Sequence, residues 1–212
     1  MAESKLTIDV QIGDIYWENG IQRAENIVWK MLQYIGDDPL REGLLDTPKR
    51  VVQAWGEWFD GYGKKPEEVL KTFEDGAELC GDEMVLVRNI DIKSHCEHHL
   101  APFFGVAHIA YIPDRRVVGL SKLPRLADIY AHRLQVQERL TNQIANAIDL
   151  HLKPKGVAVV IEATHFCMCS RGVNKQGSTT ITSALRGALK EATVRAEFFS
   201  LIALGGQQGN RA

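Results

Sequence analysis

The chain has 212 residues, of which 45% are hydrophobic and 25% charged, with a formal net charge of −2. That balance suits a globular protein of one good-sized domain, or a domain with an appendage. It argues against a nucleic-acid or membrane-surface binder, and no apolar run is long enough to cross a bilayer. The opening MAESKLTIDVQIGD lacks the charged and apolar regions of a signal peptide, so a cytoplasmic protein is expected.

In chain order, the first third reads as helical. WENGIQRAENIVWKMLQYIG places Ile21, Ala24, Ile27, Val28, Met31, Leu32 and Ile35 on one stripe, with Gly36 to end it. DTPKRVVQAWGEWFDGYG predicts a second helix, with Thr47 as N-cap and Pro48 at the first helical position. KPEEVLKTFEDG predicts a short helix opened by Pro66. Trp29, Trp55 and Trp58 read as packing residues.

From Met84 the period changes from helical to two. MVLVRNIDIK and FFGVAHIAYIP alternate and are rich in β-branched and aromatic residues, so both predict strands. SKLPRLADIYAHR and LQVQERLTNQIANAIDLHLKPKG then predict helices. The second carries Leu140, Ile144, Ala147, Ile148 and His151 on one face. GVAVVIEATHFCM and STTITSALRG return to strand, and ALKEATVRAEFFSLIAL closes the chain as a helix. This order predicts an α+β fold with mainly antiparallel pairing. Residues 1–76 read as a helical appendage and 77–212 as the sheet domain.

Chemistry concentrates in the middle of the chain. All seven histidines lie between His95 and His165, and the cysteines are Cys80, Cys96, Cys167 and Cys169. In SHCEHHLAPFF, five consecutive residues from His95 to His99 can each bind a metal or move a proton. Cys96 and His99 have the C-x-x-H spacing by which one turn presents two ligands to an ion. Alternation along GVAVVIEATHFC puts His165 and Cys167 on one strand face. A Cys2His site for zinc can therefore form across two distant segments. Three ligands with an open fourth position mark catalytic zinc. A closed site with Cys169 as fourth ligand, or a Cys96–Cys167 disulfide, are the alternatives left by spacing alone.

SHCEHHLAPFFG, VVGLSKLPR, RLQVQERLT, EATHFCMCSRGV and STTITSALRG, in this order and spacing, closely resemble GTP cyclohydrolase I. DTPKRVVQAW resembles the helical segment before that family's sheet domain, and the likeness runs from about Ile21 to Ile202. The resemblance implies the tunnelling fold: an antiparallel sheet with helices packed on one side, preceded by an N-terminal helical segment. It also implies a homodecamer built from two pentamers, with active sites between subunits. The implied reaction is zinc-dependent opening of the guanine ring of GTP at C8. Formate is released and the ring closes to 7,8-dihydroneopterin triphosphate, which feeds pterin and tetrahydrofolate synthesis.

By the same resemblance Cys96, His99 and Cys167 are the Zn2+ ligands, and His98, His165 and Ser121 are catalytic. Glu138 reads the base: one carboxylate accepts two parallel hydrogen bonds from guanine N1–H and the 2-amino group, a pair adenine does not offer. Gln137 supports the base. Lys122, Arg125 and Arg171, with Ser121 beside them, hold the triphosphate, and Arg50 matches an arginine that a neighbouring subunit contributes. Two positions depart from the family pattern. Gln53 stands where members often carry a lysine, and Cys169 is an extra thiol.

Overall fold

The computed structural model describes residues 17–73 and 83–204. The chain divides into two compact units between Gly63 and Lys64. The boundary expected at Gly76 lies outside the described residues, as does Cys80.

In the first unit, α1 (Trp17–Tyr34) and α2 (Thr47–Trp58) pack on one another, with short 3-10 turns at Glu42–Leu44 and Asp60–Gly63. Gly36 ends the first helix with φ +89°, a conformation that costs glycine little. Of the expected apolar stripe, Val28 and Leu32 are buried while Ile21, Ile27, Met31 and Ile35 stay exposed. Asp46, not Thr47, precedes α2, and it makes no side-chain cap bond. The Thr47 hydroxyl instead accepts a hydrogen bond from Arg50 at 3.0 Å.

The second unit opens with α3 (Pro66–Val69) and β1 (Thr72–Phe73), which pairs antiparallel with β4 (Val117–Val118). Among the described residues its main sheet has five strands. They are β2 (Val85–Cys96), β3 (Pro102–Ile112), β5 (Leu134–Gln135), β6 (Gly156–His165) and β7 (Thr180–Gly187), in the order β5-β2-β3-β6-β7. All pairings are antiparallel except the short β2–β5 contact. Helices α4 (Lys122–Ala131) and α5 (Gln137–Leu152) cover one face. Their fully buried Leu123, Leu126, Leu140, Ile144 and Ile148 meet Ile92, Ile109, Val157, Val159 and Ile161 from the strands. Burial of each such side chain is worth about 1.5–3 kcal/mol, so this layer carries most of the unit's cohesion. This is the tunnelling fold. On the other face α7 (Ala192–Ala203) adds a smaller cluster through Phe198, Val160 and Ile112 at one end of the sheet.

Further features depart from the sequence reading: Thr72 and Phe73, expected within the helix of KPEEVLKTFEDG, form β1. Leu134 and Gln135 were expected within a helix but form β5, in register with His95 and Cys96. The strand read from GVAVVIEATHFCM was expected to run through Cys167, yet β6 ends at His165, and Phe166–Cys169 form a single helical turn, α6. His165 and Cys167 therefore do not share a strand face. No described helix is long and apolar enough to cross a membrane.

Candidate functional site

Strand register brings the chemistry together at one end of the sheet. The β2–β3 hairpin turns through Glu97–Ala101, closed by Cys96 N–H to Ala101 O at 2.8 Å and Leu100 N–H to Cys96 O at 2.8 Å. Leu100 sits at φ +54°, a left-handed geometry that costs a branched residue about 1–2 kcal/mol. Next door, β5 lays Gln135 against Cys96, and Glu97 N–H donates to Gln135 O at 3.0 Å. That pairing delivers the first turn of α5 to the Cys96–His99 hairpin. On the other side, β3 places Phe103 opposite His165. The strands approach so closely there that a Cβ at Gly105 would overlap the Glu162 carbonyl oxygen and lie 2.6 Å from Ala163 Cα. Only glycine fits.

A cavity of about 180 Å³ opens at this end, lined by Cys96, His98, His99, Glu138, His165 and Cys167 among others. The ligand atoms of Cys96, His99 and Cys167 lie within 4.8 Å of one another. This group could hold a metal ion. Two thiols and an imidazole match the mixed sulfur and nitrogen donors that a d10 divalent ion prefers. Burial, then the adjacent Cys96, pushes the Cys167 thiol up, partly opposed by Arg171. A bound cation reverses that penalty by favouring thiolates. Cys169, the expected candidate for a closed fourth position, is not in the group.

His98 is exposed beside this cluster, with Nδ1 3.9 Å from Cys96 Sγ; His99 Nδ1 is 3.8 Å from the same atom. His165 is half-buried and stacks on Phe103, with ring centroids 4.5 Å apart and planes 14° from parallel. Burial lowers its pKa, and the charge of Glu138 works the other way. Glu138 itself is exposed on the cavity wall.

Gln137, expected among the substrate contacts, has both ends of its amide engaged inside the chain. Nε2 donates toward Thr180 O, Ile161 O and Thr182 Oγ1, and Oε1 faces His165 Nε2 at 2.7 Å. The basic residues behave differently. Ser121 immediately precedes α4, Lys122 opens it and Arg125 is exposed on its first turns, and none of the three lines the cavity. Arg171 is exposed just after α6, close enough for its charge to act on Cys167. Arg50 belongs to the first unit, where it contacts Thr47 and the Gly43 carbonyl.

Sequence reasoning missed three partners. Arg139 makes a two-pronged ion pair with Glu97 at 2.6 and 2.7 Å, tying the β2–β3 hairpin to α5 and lowering the Glu97 pKa. Phe103 flanks His165. Gln135 is buried, and its Oε1 is the one buried side-chain polar atom without a partner among the described residues. Only the opposite charges of Glu97 and Arg139 could have hinted at any of these, and 42 positions separate them.

A sheet backed by two helices ends in a cavity where thiols, imidazoles and a carboxylate converge. The family model for GTP cyclohydrolase I matches residues 24–203. Proteins called GTP cyclohydrolase 1 from Brucella suis (strain ATCC 23445 / NCTC 10510) and Brucella abortus (strain S19) are each 53% identical over 190 residues. The matches cover 89% of this chain and 88% of each relative. A solved structure, the archaeosine synthase QueF-Like in the apo form, aligns with a TM-score of 0.42 at 17% identity. It spans 50% of this chain and 94% of that one. The chain belongs to the GTP cyclohydrolase I family.

Proposed function

We propose that this protein hydrolyses the guanine ring of GTP at C8, releases formate and closes the ring to 7,8-dihydroneopterin triphosphate, using Zn2+. The observation that carries the reading is the meeting of Cys96, His99 and Cys167 within 4.8 Å in the same cavity as His165 and Glu138. Those three side chains would hold the zinc. When bound, zinc supplies Lewis-acid chemistry that makes water nucleophilic near neutral pH.

The protein's own groups do the rest. Glu138 accepts the paired N–H donors of guanine and so orients the base with C8 toward the metal ligands. His165 gives a proton to the imidazole ring of the base as C8 is attacked, and His98 serves the later transfers as formate leaves. Each positioned proton transfer is worth about 10²–10⁴-fold. Ser121 assists the rearrangement that follows. Lys122, Arg125, Arg171 and Arg50 bind the triphosphate, where several cations are needed for one polyanion. That Ser121, Lys122 and Arg125 stand outside the cavity of a single chain supports a site completed by a neighbouring copy, in a homodecamer.

The test is formate release from GTP by reduced protein, followed with and without a chelator and beside its zinc content. Turnover that stops on zinc removal and returns on zinc addition is expected. Turnover indifferent to zinc overturns the reading.

A further inference from the structure

We propose that Gln137 is a positioning residue that locks the His165 ring as its Nε2–H tautomer, leaving Nδ1 to exchange a proton with substrate. The inference rests on the cyclohydrolase reading for its catalytic consequence, but its geometry stands alone. Gln137 is 1% exposed, so every polar atom of its amide must find a partner inside the protein. On one side of the amide lie the carbonyl oxygens of Thr180 at 2.9 Å and Ile161 at 3.0 Å, which can only accept.

Thr182 Oγ1, at 3.1 Å, is the third group on that side, and its hydroxyl proton is already committed. Thr141 Oγ1 donates to Gln137 O at 2.8 Å, so its contact with Thr182 at 2.6 Å requires Thr182 to be the donor there. Thr182 can then only accept from Gln137. Three acceptors surround one end of the amide, and that end must be the NH2 group. Turning the amide over would set Oε1 against two carbonyl oxygens and leave a buried mismatch.

Oε1 therefore faces His165 Nε2, 2.7 Å away, and an amide oxygen only accepts. The hydrogen must sit on Nε2. A neutral imidazole carries one N–H, so Nδ1 holds the lone pair, and it is the protonated ring, with Nε2–H still on Gln137, that gives its Nδ1 proton to the base. Phe103, stacked nearly parallel on the ring, restricts its rotation, and the end of β6 fixes its backbone. A glutamine orients the ring without placing a second charge beside it, unlike the carboxylate that orients histidine in hydrolytic triads. The next residue, Glu138, points its carboxylate at the cavity, so one helical turn both holds the proton carrier and reads the base.

The test uses zinc-loaded, full-length protein labelled with ¹⁵N-histidine, with His165 assigned by difference from His165→Asn. Solid-state NMR at about pH 8, where a histidine is neutral, is expected to show a protonated Nε2 and a bare Nδ1. In Gln137→Leu the ring should sample both tautomers. Its kcat for formate release should fall about 10²-fold, with the KM for GTP within about threefold of the parent. Thr182→Val, which removes one acceptor but keeps the amide, should give a smaller loss of the same kind and serves if Gln137→Leu does not fold. A bare or averaged Nε2 in the parent protein overturns the inference. So does a variant whose KM rises while kcat holds, which would make Gln137 a substrate contact. If the parent releases no formate from GTP, the cyclohydrolase reading fails, and the nitrogen signature still decides the tautomer.

Discussion

The thiol-and-imidazole side of the cavity and the basic residues that would hold a triphosphate differ in how much of each a single chain completes. Cys96, His99, Cys167, His165 and Glu138 converge through strand pairing and one hairpin turn. Ser121, Lys122 and Arg125 sit at the start of α4, away from that cavity lining. The first group is held by backbone hydrogen bonds and a tight sheet, the second by solvated side chains. Bond making demands sub-ångström placement, whereas a polyanion is gathered by charge over longer distances.

The difference can be broken or sharpened by mutation. The largest effect is expected from Cys96→Ala, which removes a ligand and a buried anchor together. Zinc content should fall below about a tenth of parent, and formate release should drop by about 10³-fold or more. Next comes Glu138→Gln, which keeps the shape but loses one acceptor. Its kcat/KM for GTP should fall about 10²–10⁴-fold while zinc, measured by elemental analysis, is retained. Loss of zinc in this variant would show that Glu138 belongs to the metal group instead.

Lys122→Ala and Arg125→Ala should act more gently. Losing one charge-assisted contact, at about 1.5–3 kcal/mol, raises the KM for GTP by about 10–100-fold and leaves zinc untouched. If either variant lost zinc, the two groups would not be independent.

The smallest effect is one of stability. His108 is buried on β3 and accepts a hydrogen bond from Asn89 N–H at Nδ1, 3.4 Å away. Burial, then Arg88, lowers its pKa. The unfolded chain therefore takes up this proton more readily, so the contribution is present above the ordinary histidine value and lost as pH falls below it. Thermal unfolding should show that His108→Gln flattens the fall in Tm between about pH 7 and pH 5. An unchanged slope would place the acid sensitivity elsewhere.

Much of this was legible in the residues. The stripe on α5 marks its buried face, and alternation along β3 and β6 sorts their side chains onto two faces, each largely covered, because local periodicity decides which side chains share a surface. Cys96 and His99 sit three apart, close enough for one turn to present both. The path to Cys167 was less legible. A single helical turn after β6, rather than two more strand residues, carries its thiol to the hairpin, and nothing in FCMC distinguishes the two. Leu134 and Gln135 were read as helix because they adjoin one, while their pairing with β2 depends on a strand some 40 residues earlier.

By itself the chain's order of residues determined most of the element types, the family and which thiols and imidazoles are available to the site, since each rests on contiguous patterns. The closed ring of hydrogen bonds from Gln137 through Thr141 and Thr182, and the face that His165 turns to its neighbours, were decided only by the tertiary structure. They depend on groups from three segments meeting within about 3 Å. A hydrogen bond that short is specified by register and packing between segments, and no local spacing encodes it.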